Sequence, residues 1–116
     1  MPTNESGCRR SAVALRLDVQ TYPFRLADAT QIEQQVGAAA ETLGLRISVT
    51  TTLRTYPGSL HWHLKRPGLA GVLEITVLPA KAEGWISIHA NRQGEWIEPL
   101  IPQVMHLLGA TPCNDT

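Results

Sequence analysis

The sequence contains no apolar run approaching the roughly 20 residues that a membrane-spanning helix needs. Its first ten residues, MPTNESGCRR, are polar and lack the hydrophobic segment and cleavage motif of a secretory leader. Those two absences predict a soluble, cytoplasmic chain with no membrane partner. Net charge is also missing, because ten Lys/Arg balance ten Asp/Glu, and a dedicated nucleic-acid binder would be strongly basic. The internal imbalance is mild: residues 1–66 carry eight basic and five acidic residues, and residues 67–116 carry two and five. Cysteine is nearly absent, and Cys8 and Cys113 stand in polar end segments without C-x-x-C or metal-ligand spacing. They read as spare thiols, or as a bridge between the ends that a cytosolic compartment would disfavour.

What is present suits one domain. A chain of 116 residues, 43% hydrophobic and 17% charged, can bury a single core without staples. The domain is expected over residues 12–109, with 1–11 and 110–116 as flexible tails rich in Ser, Thr, Asn, Gly and Pro.

Leu15, Leu17 and Val19 alternate with Arg16, Asp18 and Gln20, which predicts a strand over 12–20 ended by Thr21-Tyr22-Pro23. Thr30 and Glu33 have capping-box spacing, and Ile32, Val36, Ala39, Ala40 and Leu43 recur helically up to Gly44, predicting a helix over 29–43. Strands are then expected over 45–54, 60–65, 72–78 and 85–90, joined by turns such as Tyr56-Pro57-Gly58-Ser59, which suits a type II turn. In the first of these, Leu45, Ile47, Val49 and Leu53 are expected on the apolar side. Trp96, Ile97, Leu100, Ile101, Val104, Leu107 and Leu108 predict a final helix over 96–108, with Pro99 and Pro102 expected to break its start or kink it. The fold class is therefore α+β: a two-layer sandwich in the order β-α-β-β-β-β-α, with a mainly antiparallel meander sheet and both helices on one face. The partner of the first strand stays open.

Register decides which polar residues become neighbours, because side-chain parity must match between paired strands. Pairing Lys65 with Val72 sets His63 beside Glu74 and Trp62 beside Ile75. Pairing Leu78 with Trp85 sets Glu74 beside His89 and Thr76 beside Ser87. The outward face then carries His61, His63, Glu74, Thr76, Trp85, Ser87 and His89, with Thr52 and Arg54 alongside the first two.

A flat sheet face with those residues favours a small, stand-alone, non-catalytic binding domain needing no cofactor, acting through homodimerisation or a protein partner. The alternative is a metal-binding protein using His61, His63, Glu74 and His89, since H-x-H on one strand plus a carboxylate suits zinc or non-haem iron. Against it, the outer histidines of the row, His63 and His89, would start two strand spacings, roughly 9.6 Å, apart, which favours a hydrogen-bonded ladder. A Ser87, His89, Glu74 hydrolytic set lacks a nucleophile elbow or oxyanion loop. Lys65, Arg66 and Arg92 gather near the start of the last helix and form a weak anion or nucleic-acid candidate. The element order resembles that of double-stranded RNA-binding domains, but those have three strands and a Lys-rich second-helix start, whereas Glu95 and Glu98 stand here.

Overall fold

The structure, a computed structural model, describes residues 18–113. Residues 12–17 of the expected first strand, and Cys8, lie outside the described residues. β1 runs over Val19–Leu26, well past the Thr21-Tyr22-Pro23 stop expected of it. Proline is tolerated there because the Pro23 carbonyl accepts from the Cys113 N–H at 2.9 Å. In a strand the amide and carbonyl of one residue point the same way, so the missing N–H faces away from β5 and costs that ladder nothing. α1 spans Ile32–Leu43 and ends on Gly44 at φ 72°. The capping box does not form: Gln31 is the N-cap and has no side-chain cap. Instead Asp28 Oδ1 accepts from the Thr30 N–H at 2.9 Å, in an Asx turn ahead of the helix.

The meander consists of β2 (Arg46–Thr51), β3 (Leu60–Lys65), β4 (Leu73–Leu78) and β5 (Glu83–His89). α2 spans Ile97–Leu108 and carries Pro102 in its interior. Its start is tied by the Ile97 N–H to the Gly94 carbonyl at 3.1 Å and by the Trp96 indole N–H to the Ala70 carbonyl at 2.8 Å. Ala110–Pro112, expected to be tail, forms β6 against β1. The result is an α+β fold whose six-stranded antiparallel sheet has the order β2-β3-β4-β5-β1-β6, with both helices on one face. The expected fold class is thus found, and the open question of the first strand is answered by its insertion between β5 and β6. Cys113 is disulfide-bonded rather than a spare thiol. No helix among the described residues is long and apolar enough to cross a membrane.

The core lies between sheet and helices. Phe24, Leu64, Leu73, Ile75, Val77 and Ile86 from the strands meet Val36, Ile97, Val104 and Leu108 from the helices, all of them buried.

Two register corrections bear on the polar face. β3 and β4 pair as expected, with His63 opposite Glu74 and His61 opposite Thr76. Between β4 and β5, however, Glu74 opposes Ser87 and Thr76 opposes Trp85, a slip of two residues that keeps parity. The cause is a tight 3-10 turn at Pro79–Lys81 closed by Ala82 at φ 52°, which starts β5 at Glu83. In β2 a bulge between Ile47 and Val49 flips the face. Val49 and Thr51, rather than Thr52 and Arg54, therefore lie beside His63 and His61, and Val49 is exposed instead of inward.

Candidate metal centre

Three strands and one loop supply the candidate site. β3 alternation points His61 and His63 to the outer face, β4 points Glu74 and Thr76 the same way, and β5 adds Ser87 and His89. The face is not flat. The β2–β3 connection, tightened on itself by the Tyr56 N–H to Leu53 carbonyl bond at 3.1 Å and the Leu53 N–H to Ser59 Oγ bond at 3.1 Å, sets Leu53 and Tyr56 beside it. Its Tyr56-Pro57-Gly58-Ser59 segment turns as expected, with Gly58 at φ 85° and the Ser59 N–H on the Tyr56 carbonyl at 3.0 Å. Tyr56 then meets Trp85 edge to face, with ring centroids 5.1 Å apart.

Beside this strap His61 is 6% exposed, Glu74 5%, Thr76 1% and Ser87 5%. This part of the polar face is the inside of a cleft, while the His63 and His89 side chains are 20% and 36% exposed. That cleft, about 270 Å³, is lined by Val19, Thr21, Leu53, Tyr56, His61, Glu74, Thr76, Trp85, Ser87 and His89. A larger, shallow groove of about 870 Å³ runs past Gln20, Gln93, Glu95 and Glu98 on the helix side. There the Gln20 amide donates to Glu98 Oε2 at 3.4 Å, and the Tyr22 hydroxyl donates to the same oxygen at 2.9 Å.

Where His61 and Glu74 line the cleft, side chains converge on one carboxylate oxygen, and His63 reaches it from outside the lining. Glu74 Oε1 lies 3.4 Å from His61 Nε2 and 3.7 Å from His63 Nε2, and the two nitrogens are 3.1 Å apart. Among the described residues these three form the one group of His, Cys, Asp or Glu donors with ligand atoms mutually within 4.8 Å. A point about 2.1 Å from all three corners of that triangle stands roughly 0.7 Å off its plane, the offset of a tetrahedral zinc above three of its ligands. His89 Nε2 also reaches Glu74 Oε1, at 3.4 Å, but stands outside the trio. The four residues singled out from the sequence are thus brought together as three convergent donors and one neighbour.

The surroundings orient these donors. His61 Nδ1 is 2.8 Å from Thr76 Oγ1; the tautomer that donates there leaves the Nε2 lone pair aimed at the centre. Arg92 Nη1 donates to Glu74 Oε2 at 3.2 Å, which orients the carboxylate so that one oxygen serves the site. Burial alone would raise the Glu74 carboxyl. Without a metal, a His61 Nε2–H hydrogen bond and the charges of His89, His63 and His61 outweigh it and hold the group below the usual carboxylate range; a metal would take the place of the protons on these nitrogens. Burial pushes His63 down, against the opposing pull of Glu74. An ionised carboxylate and a neutral imidazole are the protonation states that a metal requires.

The Arg92 role was missed by sequence reasoning, which grouped it with Lys65 and Arg66 as an anion site. The Val72 N–H to Arg92 carbonyl bond at 2.9 Å does bring the 66–72 loop against the 90–92 turn. The guanidinium, however, faces Glu74, and Lys65 at the end of β3 pairs with Arg46 in register. No protein-family model, no curated protein and no solved structure matches this chain.

Proposed function

We propose that this chain is a binding protein for a divalent transition metal, with His61, His63 and Glu74 as ligands and a fourth position open to the cleft. The observation that carries this reading is the donor triangle, with edges of 3.1, 3.4 and 3.7 Å around a common centre. Two imidazoles and one carboxylate, without cysteine or methionine, suit zinc and non-haem iron. A site with three protein ligands and one open position is the arrangement of metals that bind or activate a small molecule. The ordered partners of the ligands, Thr76 on His61 and Arg92 on Glu74, support the same reading.

The test is elemental analysis of untagged protein, with thermal unfolding in the presence of Zn²⁺ and, anaerobically, Fe²⁺. One equivalent of metal and a raised midpoint are expected, both abolished in His61→Ala/His63→Ala. Wild-type protein that retains no metal and shows no midpoint shift overturns the proposal.

A further inference from the structure

We propose that the cleft beside the candidate metal centre takes a small organic anion, its acidic group at the open metal position and its flat apolar body against Tyr56 and Trp85. This rests on the metal reading and adds the class of ligand to it.

Charge is the first argument. A divalent ion with one carboxylate and two neutral imidazoles keeps one positive charge, and Arg92 brings a second against Glu74 Oε2 at 3.2 Å. Arg92 is 45% exposed and outside the cleft lining, so its charge is largely screened; the charge left at the metal sits beside Glu74 and Ser87, each only 5% exposed, and favours an anionic fourth ligand. Shape is the second. Leu53, Tyr56 and Trp85 give the cleft an apolar wall, while Ser87 and His89 line it beside Glu74 and offer hydrogen-bonding groups to a second oxygen of the anion. A volume of about 270 Å³ is at the small end of ligand sites and holds on the order of ten heavy atoms. An aromatic acid is of that size, and the edge-to-face Tyr56–Trp85 pair offers a surface for its ring.

Calorimetric titration of the zinc-loaded protein with benzohydroxamate tests this, with zinc content measured before and after. One-to-one binding is expected, at least about tenfold weaker in metal-free protein. Acetohydroxamate, which keeps the chelating group and lacks the ring, is expected to bind about tenfold more weakly than benzohydroxamate. Tyr56→Ala and Trp85→Leu should each lose about tenfold for the aromatic probe and little for acetohydroxamate. Tyr56 lies in the strap and guards against a folding defect at Trp85. If zinc is taken up but benzohydroxamate does not bind, or binds no better than acetohydroxamate, this inference falls and the metal reading stands. If neither zinc nor, anaerobically, ferrous iron is taken up, both fall.

Discussion

Gly84 lies directly beneath the ring of Phe24, its cross-strand partner on β1. A Cβ at position 84 would stand 2.9 Å from Phe24 Cζ and 2.3 Å from the Thr76 carbonyl oxygen. The side chain that glycine lacks is replaced by the phenyl ring of the next strand, which is fully buried. Gly84→Ala should therefore destabilise the fold by about 1–3 kcal/mol through overpacking. Urea unfolding followed by tryptophan fluorescence measures this, and an unchanged midpoint would contradict the packing described.

Thr76→Val keeps the volume of the side chain and removes the hydroxyl that holds His61 Nδ1. Metal affinity is expected to fall about 10- to 100-fold, the usual effect of losing a ligand's hydrogen-bond partner. Competition against a chelating dye reads that change, while circular dichroism should show the fold intact.

Arg92→Gln removes the cation that orients Glu74. Zinc dissociation should be faster than in wild type, whereas Arg66→Gln should leave it unchanged. Equal effects of the two changes would point to general electrostatics in place of the Arg92–Glu74 contact.

Tyr22 gives a pH-dependent readout away from the site. Burial, with the Glu98 carboxylate accepting its hydroxyl at 2.9 Å, pushes the phenol from 10.0 up to about 12. The unfolded chain loses that proton near pH 10 while the folded chain keeps it to about 12. In that window the unfolded state binds fewer protons, so stability falls as pH rises. Ultraviolet titration should find this tyrosine protonated at pH 11, and Glu98→Gln should lower its pKa.

Cys113 is disulfide-bonded, and its N–H reaches the Pro23 carbonyl at 2.9 Å. In unreduced, denatured protein its peptide should resist iodoacetamide, and after reduction it should be alkylated. Labelling before reduction would show a free thiol.

Much of this architecture was legible in the residues, and the exceptions share a cause. Alternation of period two identified β3 and β4 and their mutual register, because Leu60, Trp62 and Leu64 must meet Leu73, Ile75 and Val77. Periodicity is blind to turn geometry, however. It could not see that Ala82 closes a tight turn and slides β5 by two residues, nor that one extra residue at Ser48 reverses the face of β2. β6 is three residues long and too short to show a period.

The metal geometry was judged unfavourable from the distance between His63 and His89, two strands apart. The closest pair is instead His61 and His63, on one strand, both leaning onto Glu74 of the next. The role of Arg92 and the placement of the strap beside the face depend on where loops return, which no local pattern records.

The strand order also separates the history of the site from that of the sheet. His61, His63, Glu74, Thr76, Ser87, His89 and Arg92 all come from consecutive hairpins and the turn that follows them. Each contact closes a short loop at little entropic cost. β1 must instead be threaded between β5 and β6, setting Val19 against His89 near the far end of the chain. Long-range pairing of this kind is slow, so the donors can gather before the sheet is complete. A metal of the kind proposed, present during folding, would then meet a half-built domain in which the candidate ligands are already gathered.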